Sequence, residues 1–117
     1  MENRLHPVLS IRIFGGGKCF GPGIAELLRR VDAQGSLRAA AKDMGMAYSK
    51  AWTITKNAES ELGFPLLRSQ TGGKKGGGAV LTDKARRLLD AYDRYCERLR
   101  AYGDAAFREE FSFLDDE

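Results

Sequence analysis

Residues 35–52 read GSLRAAAKDMGMAYSKAW, and the fold turns on how that run divides. The Ser36 hydroxyl can accept from an amide of the following turn, so it caps a helix over LRAAAKDM. Ala40 and Ala41 are small enough to let another helix approach closely, and Gly45 interrupts the run. Tyr48 then opens a second helix that reaches Leu62. At about 100° per residue, Ala47, Ala51, Ile54, Ala58 and Leu62 fall on one side of it, with Ser49, Thr53, Lys56 and Ser60 opposite. Two helices joined by a glycine corner, the second with a polar outer face, make a helix-turn-helix pattern. Taken alone, the same pattern also describes an ordinary helical corner.

Downstream, Gly63 ends the second helix and Pro65, Leu66, Leu67 and Arg68 begin an extended segment. Residues 71–81, TGGKKGGGAVL, combine five glycines and two lysines with a short apolar run, which reads as a basic hairpin. Its tip spans Gly72, Gly73, Lys74, Lys75, Gly76, Gly77 and Gly78. Thr82 caps a long final helix, about 83–106, on which Ala85, Leu88, Leu89, Tyr92, Cys96, Leu99 and Tyr102 recur at steps of three and four. Upstream, residues 8–14, VLSIRIF, read as a strand closed by Gly15, Gly16 and Gly17. The GGGK of residues 15–18 is not a P-loop, because Arg12 replaces the required glycine and Cys19 the required hydroxyl. Pro22 starts a first helix, with Ile24, Leu27, Leu28 and Val31 at helical spacing up to Gly35. The fold class expected is mainly α with a small β wing: a winged helix-turn-helix with a long C-terminal dimerisation helix.

The 117 residues correspond to one domain, and 43% hydrophobic with 30% charged residues is ordinary globular composition. No apolar run approaches the roughly 20 residues of a bilayer-spanning helix, and the N-terminus has no apolar signal core, so a cytoplasmic protein without membrane partners is expected. The net charge of +3 is unevenly placed. Residues 104–117 hold one arginine against six carboxylates, net −5, leaving +8 on residues 1–103. A basic body suits a polyanion, though it supports solubility equally well. Cys19 and Cys96 lack metal-ligand spacing and read as buried free thiols. The one histidine, His6, lies near the terminus, and no catalytic set, metal site or cofactor motif is visible, so no enzyme is expected. Lys18, Arg29 and Arg30 are the residues that would have to converge to bind an oxyanion.

The run at 35–52, followed by LGFPLLRSQTGGKKGGGAVLT at 62–82, resembles the N-terminal DNA-binding domain of ModE-type molybdate-responsive transcription regulators. The helix-turn-helix also resembles the wider LysR-type domain, while AYSKAW and the glycine-lysine wing point to the ModE branch. The resemblance covers residues 5–106. It implies a homodimer on double-stranded DNA at a roughly palindromic operator, with one recognition helix (about 48–62) per major-groove half-site and a wing (about 70–80) beside it. ModE-type regulators carry C-terminal molybdate-binding domains of small β-barrel type. Here residues 107–117 form an acidic tail instead, which predicts a stand-alone relative or one working with a separate effector-binding protein.

Carried onto matched positions, Tyr48, Ser49 and Lys50 begin the recognition helix, and Thr53 and Lys56 lie further along its exposed face. Lys74 and Lys75 would meet phosphates or the minor groove, and Ser36 could donate to a phosphate as well as cap. Lys50 stands well off the centre of the polar face, which also suits a solvated lysine. Trp52 flanks the core side and reads first as a packing residue. Leu88, Leu89, Tyr92, Cys96, Leu99 and Tyr102 would form the dimer seam. The competing class is a winged-helix protein-interaction module, or a partner-dependent regulator without specific DNA binding of its own.

Overall fold

A computed structural model describes residues 5–70 and 78–116. The chain forms β1 (Ile13–Phe14), β2 (Lys18–Phe20), α1 (Pro22–Gln34), α2 (Leu37–Asp43), α3 (Tyr48–Leu62), β3 (Leu67–Gln70), β4 (Gly78–Leu81) and α4 (Asp83–Glu110), closed by a 3-10 turn at Ser112–Asp115. Four helices around two small antiparallel hairpins give a winged helix-turn-helix with a long last helix.

The local signals act as their chemistry requires. Pro22 occupies the first turn of α1, where a missing N–H costs nothing. Ser36 Oγ accepts from Ala39 N at 3.1 Å and Thr82 Oγ1 from Ala85 N at 3.1 Å, each satisfying an amide that its helix leaves open. At the corner between α2 and α3, Met46 N bonds Ala41 O and Gly45 N bonds Lys42 O, both at 3.0 Å. This double closure needs a left-handed residue after the helix, and Gly45 supplies it at φ 68°.

The core lies where α1, α2 and α3 meet the hairpins, with Phe20, Leu27, Leu28, Val31, Ala40, Ala51 and Leu66 fully buried. Cys19 and Cys96 are buried free thiols. Phe20 meets Tyr92 edge-on, with ring centroids 5.0 Å apart, a geometry adding about 1 kcal/mol beyond area burial. Arg29 to Asp93 and Arg86 to Asp32 tie α1 to α4 across the surface.

The structure corrects the sequence reading in several places. The strand expected over residues 8–14 narrows to Ile13–Phe14, because its partner β2 is three residues long and ends at Phe20, just before Pro22 opens α1. The preceding residues lie along α4 instead: Ile11 O accepts from the Tyr92 hydroxyl at 2.6 Å. A side chain at Gly103 would meet Leu9 at 3.4 Å, so the bare glycine admits that leucine. On α3, Ala47 is the exposed N-cap rather than a core residue, and Thr55 is buried where Ile54 was expected to dominate. The Thr55 hydroxyl is satisfied by Ala51 O at 2.9 Å. Finally, α4 runs to Glu110 rather than 106, so the first residues of the acidic segment are helical.

The 28 residues of α4 span about 42 Å. They stretch the molecule to 65 Å along its longest axis, with a radius of gyration of 18.1 Å. A compact domain of this size has about 13 Å. The far half of α4 therefore stands off the body.

Candidate nucleic-acid interface

The buried stripe of Ala51, Thr55 and Ala58 fixes which side of α3 faces out. Tyr48, Ser49, Lys50, Thr53 and Lys56 are all exposed, so the structure gathers the five expected contact residues of this helix on its solvent side. Trp52, expected as a packing residue, is 48% exposed and joins that face. The reason is angular: Ala51, Thr55 and Ala58 centre the buried side, and Trp52 falls about 100° away from it. Lys56 Nζ sits 5.6 Å from the Trp52 ring centroid and 3.3 Å from Glu59 Oε1. Lys56 is thus a positioned cation with one carboxylate partner.

Arg38, which sequence reasoning missed, places its guanidinium 4.1 Å from the centre of the Tyr48 ring. The contact joins the exposed face of α2 to the first turn of α3, and a guanidinium stacked on an aromatic keeps its edge N–H groups available to a phosphate. The only signal in the sequence was a basic residue in the first turn of α2. Ser36 acts as the N-cap of α2, with its hydroxyl turned to Ala39 N.

The base of the wing is firmly held. β3 pairs with β4 in the register Leu67↔Leu81, Arg68↔Val80, Ser69↔Ala79 and Gln70↔Gly78. Ala79 N bonds Gly35 O at 2.9 Å, and Glu59 Oε2 accepts from Leu66 N at 2.7 Å. The wing base is therefore anchored both to the α1–α2 turn and to α3. Arg68, Ser69 and Gln70 are exposed along β3. Lys74, Lys75 and the glycines from Gly72 to Gly77 lie outside the described residues.

Two anion-site readings close. The amides of the glycine turn at 15–17 are taken by the chain's own carboxylate, with Glu61 Oε1 accepting from Gly16 N at 2.8 Å and from Gly17 N at 3.3 Å. Arg29 and Arg30 both bond Glu26, and Arg29 also holds Asp93, so these two cations are already paired with carboxylates. Hydrogen bonds from Arg30, then Arg29, hold the Glu26 carboxyl below its ordinary range. Among the described residues no group of three His, Cys, Asp or Glu side chains could hold a metal, and no helix is long and apolar enough to cross a membrane.

The stripe assigned to a dimer seam divides in two. Leu89, Tyr92 and Cys96 are buried by their own chain together with Ala85. Leu88 and Leu99 are half-buried, while Tyr95 and Tyr102 are 52% and 76% exposed. Leu88, Ala91, Tyr95, Leu99 and Tyr102 make a second apolar stripe, turned roughly 80° from the first.

The model of the bacterial regulatory helix-turn-helix proteins of the lysR family matches residues 25–86, from α1 through the wing into α4. This chain belongs to that family. Its helix-turn-helix is that of a bacterial DNA-binding regulatory protein. Among curated relatives, it is 37% identical over 76 residues to the molybdenum-pterin-binding protein MopB of Rhodobacter capsulatus, covering 65% of this chain and 28% of MopB. It is 40% identical over 72 residues to the transcriptional regulator ModE of Haemophilus influenzae, and 39% identical over 72 residues to the DNA-binding transcriptional dual regulator ModE of Escherichia coli. Each of these two matches covers 62% of this chain and 28% of the relative. The matched stretch thus spans little more than a quarter of those relatives, and over it the chain is similar to ModE and MopB.

Proposed function

We propose that the chain binds a roughly palindromic duplex operator as a homodimer, one α3 entering the major groove of each half-site and one wing lying beside it. The observation that carries this reading is the exposed face of α3. Ser49 and Thr53 stand between the Arg38–Tyr48 contact at one end and the Trp52–Lys56 contact at the other. Short hydroxyls flanked by aromatic-backed cations suit base edges flanked by phosphates. Lys50 extends the cationic edge, Lys74 and Lys75 supply phosphate contacts from the wing, and Ser36 reaches a phosphate from the start of α2.

Dimerisation runs through the second apolar stripe of α4, which leaves Tyr102 uncovered on a helix that overhangs the body. Residues 1–106 form the DNA-binding and dimerisation unit, with the acidic segment beyond it. Molybdenum figures in the name of MopB. Arg29 and Arg30 are already engaged by carboxylates, so an effector response in this chain is proposed to involve a separate effector-binding partner and not these two arginines.

The test is a titration of a palindromic duplex and a scrambled duplex at several salt concentrations. Two chains per palindrome and a log–log salt slope of about −4 or steeper support the reading. One chain per duplex with a flat slope contradicts it.

A further inference from the structure

We infer that the acidic, aromatic end of α4 and the turn after it (residues 107–116) dock on a second copy of this chain, in the basic groove beside the start of the partner's α4. The inference rests on the homodimer reading and adds to it the location of a second contact. The segment presents an ordered apolar cluster. Phe107 stacks on Phe111 at 4.9 Å, Phe113 lies 6.4 Å from Phe111, and Phe111, Phe113 and Leu114 are 45%, 61% and 49% exposed. Glu109, Glu110, Asp115 and Asp116 surround it. Glu109 and Glu110 stand in the last turn of a helix, where the dipole disfavours negative charge. Cations from outside the helix would relieve that cost.

The groove has the opposite character. Phe64, Leu88 and Ala91 floor a cleft of about 400 Å³ walled by Lys84, Arg87 and Arg94, with Asp90 the one acid among them. The Lys84 ammonium lies 4.5 Å from the Phe64 ring centre, which shows the floor already receives a cation against an aromatic face. Within one chain the two features are far apart, since the groove flanks residues 84–94 and the aromatic segment begins at residue 107 on a helix about 42 Å long. An antiparallel pairing of two α4 helices along Leu88, Tyr95, Leu99 and Tyr102 removes that separation. It sets the end of one helix beside the start of the other, twice by symmetry.

The test uses two chains each carrying one added cysteine, Asp83→Cys and Ser112→Cys, mixed and treated with a short thiol-to-thiol crosslinker. Neither position carries the proposed contact, and the native Cys19 and Cys96 are buried. Sedimentation of the unaltered chain reports dimerisation separately. The expected result is a dimer in which the mixed crosslink exceeds either same-variant crosslink several-fold. A dimer without that preference overturns the docking and leaves the homodimer standing, whereas a monomer overturns both. A charge swap gives a second readout. Lys84→Glu with Arg87→Glu weakens dimerisation about tenfold, and Glu109→Lys with Glu110→Lys on the same chain restores it. Absence of rescue in folded protein counts against the contact.

Discussion

Arg38 lies over the ring of Tyr48, 4.1 Å from its centre, and thereby joins the first helix of the helix-turn-helix to the N-terminal turn of the second. The contact is exposed, so its energetic weight in the free protein is small, about 0.5–1 kcal/mol. Its larger effect is expected on DNA. Arg38→Ala should weaken binding to every duplex and reduce the salt slope by about one unit, with unfolding stability nearly unchanged. Anisotropy titrations across a salt series, alongside urea unfolding, check both halves.

Ser36 has two roles that one substitution pair separates. Ser36→Ala removes the acceptor for Ala39 N and should cost about 1 kcal/mol of stability. Ser36→Asp keeps the cap but faces a phosphate with a negative charge, so it should retain stability and lose DNA affinity. Equal affinity in the Asp variant and the unaltered chain would confine Ser36 to capping.

Tyr92 offers a pH signature. Burial first, then the neighbouring Cys96 thiol, raises its pKa from the ordinary 10.0 to about 12. Because the folded value lies above the unfolded one, the stabilisation by neutral Tyr92 is complete below pH 10.0 and is lost as pH rises through about 12. Absorbance near the tyrosinate band should show a late step near pH 12 from Tyr92. Tyr92→Phe should abolish that late step and cost about 1 kcal/mol through the lost hydrogen bond to Ile11 O.

The wing lysines are tested together. Lys74→Ala with Lys75→Ala should weaken binding evenly across sequences and lower the salt slope by about one to two units. An unchanged slope would remove the wing from the interface.

Much of this domain could be read in its sequence because its helix boundaries are set by local chemistry. Ser36, Gly45, Gly63 and Thr82 mark helix ends by capping or by left-handed backbone, and each signal spans only a few residues. The outer face of α3 was legible for a similar reason, since helical angle alone separates Ser49, Thr53 and Lys56 from Ala51 and Ala58. What escaped depended on partners distant in sequence. The Arg38 contact with Tyr48 and the grip of Glu61 on the glycine turn both require knowing how elements distant in sequence meet. On α4, apolar spacing merged two adjacent stripes into one. Leu89, Tyr92 and Cys96 serve the chain's own core, while Leu88, Leu99 and Tyr102 flank it, and only packing tells them apart.

That division makes its own prediction. Leu99→Asp with Tyr102→Asp should yield a folded monomer that binds a full operator poorly, because charge enters the outer stripe alone. Cys96→Asp should unfold the domain instead, since Cys96 is buried in the chain's own core. Circular dichroism and sedimentation equilibrium read the two outcomes.

The most direct measurement is selection of bound sequences from a random duplex library, repeated at low and moderate salt. The account predicts enrichment of an inverted repeat whose half-sites are one helical turn apart or a multiple of it. Recovery of unrelated sequences at every salt concentration, or of no duplex at all, would contradict it.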